Sequence, residues 1–187
     1  MSVRRSLLIL SALLILSALL ISACSSLPEQ LTAQSENVIT DYPTFASSSE
    51  QNVDVRLGGL IASVTNLEKQ SRIEVVNLPI SKTGKPDIST DANGRFVAYV
   101  EGFVDPVTFA EGRVVTVVGK SQSTEKGKVG EFEYTFPVMN AYGMHLWKVE
   151  ESVIIHDFDT YLYPCYGIHC RSSRLGSSKA KVIQEVK

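Results

Sequence analysis

Hydrophobic positions change their spacing twice along the 187-residue chain. Across residues 7–21 they run together, broken only by Ser and Ala, behind the basic pair Arg4 and Arg5. A run of about 15 residues falls short of the roughly 20 needed to cross a bilayer core as a helix. It ends in small residues, so it reads as a cleaved secretory signal. Across residues 25–52 apolar positions are sparse among Ser, Gln, Thr and Asn, the composition of an extended tether. Within it, residues 27–38 have the pattern of a weak helix, and Tyr42-Pro43-Thr44-Phe45 that of a segment docking on a domain. Beyond Asn52 the period becomes two.

Val53, Val55 and Leu57 alternate with Asp54 and Arg56, and after Gly58-Gly59 a second run covers residues 60–64. This predicts strands meeting at a bend or bulge on the glycines. Residues 73–78 form another strand pattern, stopped by Pro79, and 81–94 carry turn residues in bulk. A strand is expected over 95–103, then one helical turn opened by Asp105-Pro106. Two β-rich runs, 113–121 and 130–138, flank the glycine-containing loop 124–128, which predicts a hairpin. Residues 145–149 and 153–158 supply the last strands.

Six or seven short strands in roughly 110 residues predict an all-β fold, a small antiparallel barrel of the OB-like kind or a sandwich. The expected organisation is a signal peptide over 1–23, a lipidated flexible tether over 24–52, a barrel domain over 53–160 and a Cys-containing, poorly ordered tail over 161–187.

Removing residues 1–23 takes away two Arg and no acids, which leaves 16 basic and 20 acidic residues, a formal charge of −4 on 164 residues. That length suits one domain. A mildly acidic balance without basic clusters argues against nucleic acid as partner, because such binding leans on Lys and Arg neutralising phosphates.

The junction Leu20-Ile21-Ser22-Ala23-Cys24 resembles the bacterial lipobox, an aliphatic residue and two small ones before a cysteine. The resemblance implies diacylglycerol on the Cys24 thiol, cleavage before it and acylation of the new amine, giving a membrane partner through lipid. Several acyl chains, at about 0.8 kcal/mol per buried methylene, anchor stably where one does not. Ser25 in second place, not Asp, implies sorting to the outer membrane, with the periplasmic face as the default.

Two further cysteines, Cys165 and Cys170, lie in the segment 163–170, and the envelope is an oxidising compartment, so a local disulfide is the expected fate. A loop so short orders the tail more than it stabilises the fold. With His169 and His156 nearby a metal site is the alternative, but the spacing matches no paired zinc pattern.

The strings Gly94-Arg95-Phe96, Gly102-Phe103-Val104-Asp105-Pro106, Gly112-Arg113-Val114-Val115-Thr116-Val117-Val118-Gly119, Glu125-Lys126-Gly127-Lys128-Val129-Gly130-Glu131-Phe132-Glu133-Tyr134 and His145-Leu146-Trp147-Lys148 resemble the Slp family of enterobacterial outer membrane lipoproteins. The resemblance runs from the lipobox to about Val149. It implies a protein associated with starvation and envelope stress, and it carries over no catalytic residues and no cofactor.

The residues themselves point the same way. No serine sits in a nucleophile elbow to join His145, His156 or His169 in hydrolysis. The run 125–130 lacks the spacing and strand-to-helix context of a phosphate loop and reads as a hairpin tip. Glu131 and Glu133 share one strand face, where solvation is the plainer role than acid–base work. Asp105 reads as a cap, and Arg95 and Arg113 as partners of surface acids. Trp147, near His145, Tyr142 and Gly143, reads as core packing, with capping of a ligand groove as the alternative.

The face bearing Arg95, Arg113 and Trp147 is the expected interaction surface for an envelope protein or ligand not named by the sequence. The resulting expectation is a non-catalytic, stress-related structural or interaction module of the envelope. Its rivals are a small-molecule or lipid carrier, which needs an apolar cavity, and an envelope enzyme, which needs polar groups with perturbed pKa values converging in a cleft.

Overall fold

The period-two pattern is realised in a computed structural model that describes residues 26–156 and 179–187. Its strands are β1 (Val38–Ile39), β2 (Asp54–Asn66), β3 (Gln70–Leu78), β4 (Gly94–Glu101), β5 (Val114–Val129), β6 (Phe132–Leu146), β7 (Val149–His156) and β8 (Lys179–Val186), with one short helix, α1 (Tyr42–Ser47). Strand β2 pairs antiparallel with β3, β3 with β4, β4 in parallel with β6, β6 antiparallel with β5, and β5 back with β2. The ring is an uneven barrel, as the OB-like expectation had it, and closure removes the edges an open sheet would leave for aggregation. Strands β7 and β8 form a separate two-stranded ribbon.

Alternate residues of the barrel strands point inward. Val55, Leu57, Ile73, Val75, Phe96, Ala98, Val115, Val117 and Met139 meet there, each at most 1% exposed. Full burial stabilises by about 1.5–3 kcal/mol for each large apolar side chain. At one end α1 lays Tyr42 and Phe45 into this core. Its N-cap is Asp41, whose carboxylate accepts from the Thr44 amide at 3.0 Å and hydroxyl at 2.7 Å. At the other end, residues 102–112 fold Val104 and Phe109 onto the core, with the Asp105 carboxylate accepting from the Val107 amide and the Thr108 hydroxyl.

The outer wall is apolar in two places. Val97, Phe136 and Val138 pack beneath Tyr99 and Tyr134 on one side. On another, Val114, Val118 and Trp147 are covered by Leu31 of a 3-10 turn (Glu29–Leu31) and by Val186. Residues 27–39, within the stretch expected to be a tether, thus form a strap on the barrel, which ends in β1 pairing in parallel with the start of β2.

Three local expectations are corrected. The bulge does not fall on Gly58-Gly59: β2 is one continuous strand through them, and its register shift against β3 comes between Ile61 and Ser63. Glycine is needed at 59 because a Cβ there would lie 1.8 Å from the Val76 carbonyl oxygen across the ladder. The hairpin tip is not at 124–128 either; pairing continues to Val129 and Phe132, and the turn is made at Gly130, whose φ of 61° suits glycine. Finally, 179–186, expected to be poorly ordered, form β8 against β7.

Candidate functional site

The strap is seated by apolar and polar contacts together. Leu31 is 0% exposed in the cluster of Val114, Val118 and Trp147, and the Arg56 guanidinium donates to the Leu31 carbonyl at 3.1 Å. Gly143 permits this approach, since a Cβ there would lie 2.0 Å from the Gln30 carbonyl oxygen. Farther along, Asp54 points out of the barrel, as the alternation requires, yet is 0% exposed because the strap covers it. Its carboxylate accepts from the Tyr142 hydroxyl at 2.8 Å and pairs with the Lys120 ammonium at 3.0 Å. Burial pushes the Asp54 carboxyl up, but donors from Ser35, Lys120 and Tyr142 outweigh it and hold it at about 2. Burial first, and then the hydrogen bond to Asp54, push Tyr142 up to about 12. Asp54 and Lys120 lie at the foot of a groove of about 770 Å³ flanked by Ser35, Val38 and Thr44.

Where the strap begins, Leu27 packs beside Leu31 against Gly84 of the 81–85 turn. Thr116 ties this region together: its hydroxyl donates to the Gly84 carbonyl at 2.6 Å and accepts from the Trp147 indole at 2.9 Å. The His145 ring meets Trp147 edge-on, 4.4 Å between centroids, and burial lowers its pKa. The Lys85 ammonium stands 5.8 Å over the Trp147 ring. Trp147 is therefore packed, 5% exposed, with its one polar atom satisfied.

Of the expected interaction surface, Arg113 and Trp147 come together, lining a depression of about 290 Å³ with Lys148 and Val149. Arg95 is not among its lining residues. It pairs with Glu74 at 2.6 Å, in a chain of charges that continues through Arg72 to Glu125 at 3.0 Å. The Arg95 amide donates to the Tyr134 hydroxyl, and Tyr42 donates to the Arg95 carbonyl, so this residue helps hold α1 in place. Glu131 and Glu133 are exposed on the β5–β6 hairpin. Cys24, Cys165, Cys170 and His169 lie outside the described residues, as does the side chain of His156. Among the described residues no cluster of His, Cys, Asp and Glu has the makings of a metal site, and no helix is long and apolar enough to cross a membrane.

Sequence reasoning missed the buried Asp54 and the docked strap. A signal was present in β5, where Val114, Val115, Val117 and Val118 make both faces apolar, the mark of a strand covered on both sides.

A profile described as the outer membrane lipoprotein Slp family matches residues 21–172, past the Val149 limit expected from the resemblance. A stretch of 111 residues is 40% identical to an uncharacterized protein of Haemophilus influenzae, covering 59% of this chain and 56% of that one. Over 137 residues the chain is 32% identical to the uncharacterized lipoprotein YeaY of Escherichia coli, covering 72% and 70%. Over 158 residues it is 29% identical to the outer membrane protein Slp of E. coli, covering 82% and 80%. The chain thus spans little more than half the length of the Haemophilus relative. No solved structure matches.

Proposed function

Because the chain belongs to the outer membrane lipoprotein Slp family, we propose that it is held in the outer membrane by lipids on Cys24, its barrel on the periplasmic face. There it acts non-catalytically as a stress-related structural or interaction module. The observation that carries the anchor is positional. The Cys24 thiol follows a lipobox-like Ile21-Ser22-Ala23, and the chain meets the barrel wall at Leu27, three residues later. Lipid at Cys24 therefore loads directly onto a folded body.

Support for a non-catalytic role comes from the work its polar groups do. Asp54 and Tyr142 fasten the strap, Arg95 and Glu74 brace α1 and β3, and His145 lies against an indole. A carrier would need space within the barrel, where Phe96, Ile73 and Leu57 are instead at most 1% exposed.

The test is intact-mass analysis and membrane fractionation of the native protein beside Cys24→Ser. Acyl mass on the native protein in the outer membrane fraction, with an unlipidated and soluble variant, is the expected result. Identical unacylated masses and a soluble native protein would overturn it.

A further inference from the structure

The geometry points to a second membrane contact: the wall from which the N-terminus leaves the barrel lies on the phospholipid leaflet that holds the anchor. The inference rests on the lipid anchor proposed above and extends it from a point of attachment to a surface.

Three residues reach at most about 10 Å at 3.3–3.6 Å each. Leu27 is fixed in the cluster of Trp147, Leu31 and Val186, so lipid on Cys24 holds this wall within that distance of the headgroups. No long tether intervenes, because the strap is already spent on the barrel.

What surrounds Leu27 suits a bilayer. The turn that Leu27 touches carries Lys82 and Lys85, and Lys148 is exposed next to Trp147. Among the described residues none of these three lysines is engaged in a salt bridge. This places cations beside the anchor of a chain whose net charge is negative, and cations near an anionic leaflet strengthen anchoring by lipid chains.

The apolar part is the β7–β8 ribbon. Direct partners in an antiparallel ladder share a face, as do residues two apart. Val149 and Val186 form one such pair, Val153 and Val182 another on the same face. Val186 is buried with Leu27, while Val149, Val153 and Val182 are 44%, 56% and 53% exposed. The face thus starts at the anchor exit and continues uncovered. The Glu151–Gln184 pair between the valines sets it at headgroup depth and not in the hydrocarbon. A two-stranded ribbon alone is marginal in water, and a leaflet beneath it supplies the covering layer.

Trp147, the only tryptophan in the chain, reports on this wall. The lipidated mature protein is placed in vesicles of phosphatidylethanolamine and phosphatidylglycerol, with and without brominated acyl chains, beside Val153→Glu/Val182→Glu and Lys82→Glu/Lys148→Glu. Bromine should quench Trp147 in the native protein, and most of that quenching should be lost in both variants. All three should pellet with the vesicles and share one circular dichroism spectrum and melting temperature. Equal quenching in all three, or none in any, with pelleting intact, would overturn the surface and leave the anchor standing. Missing acyl mass and no pelleting would overturn both. A dimer in detergent, dissolved by the valine variant, would assign the face to a second copy and overturn the bilayer as occupant.

Discussion

Replacing Leu31 by Ala measures how firmly the strap is part of the fold. Leu31 is 0% exposed, surrounded by Val114, Val118, Trp147 and Val186. Truncating a leucine so placed costs about 2–5 kcal/mol, the transfer of the lost carbons plus the cavity left behind. The strap can respond by detaching, which caps the loss at its docking free energy, so the lower part of the range, about 2–3 kcal/mol, is expected. With a urea dependence of about 2 kcal/mol per molar, the unfolding midpoint of the Cys24→Ser chain falls by roughly 1 M. Trp147 fluorescence follows the transition, since the indole borders the same cluster.

Gly143→Ala attacks the strap from the barrel side, forcing a Cβ to 2.0 Å from the Gln30 carbonyl oxygen. If both substitutions act by releasing one segment, the double variant loses clearly less than the two single losses added together. A Leu31→Ala variant within about 0.5 kcal/mol of the native chain, as a free tether predicts, refutes the docking. So does strict additivity of the pair.

Two further outcomes follow from the barrel and its latch. The Asp54 carboxyl is held at about 2 against its usual 3.8, so its contribution is fully present above about pH 4 and lost as pH falls towards 2. Asp54→Asn should cost about 1.5–3 kcal/mol at neutral pH, as for a hydrogen bond to a charged group, and this gap should close as urea titrations move to acid; a gap independent of pH counts against the latch. Gly59→Ala meets the Val76 carbonyl oxygen at 1.8 Å and should cost at least about 4 kcal/mol or abolish folding. Native-like amide dispersion and stability in that variant would contradict the β2–β3 register.

Most barrel strands were legible because one face of each meets the core and the other meets water or a thin cover, which writes a period of two into the sequence. Pro79 stopped β3 as expected, and Asp105 capped its turn. The strap escaped notice because Leu27, Leu31 and Ala33 are apolar islands among polar residues, enough to cover a wall but not to build a core. The hairpin tip was misplaced because Gly127 looks like a turn residue, whereas it sits in the ladder opposite Tyr134 beneath the Phe136 ring. Of the residues expected to share a surface, Arg113 and Trp147 line one depression, whereas Arg95 pairs with Glu74 on the neighbouring strand. Cross-strand pairing depends on register, and register is not written in a single strand.

The parallel pairing of β4 with β6 also orders events in time. Val97 finds Val138 only after the whole of β5 has been made between them, and β2 is completed by β5 residues some 60 positions later in the chain. As the chain is delivered from its N-terminus, Phe96, Val97 and Ala98 stand on an open edge until Met139 and its neighbours emerge. Contacts so distant along the chain close slowly, and an uncovered apolar edge invites other strands meanwhile. A chain of this topology is therefore most vulnerable to aggregation just before its last barrel strand is delivered.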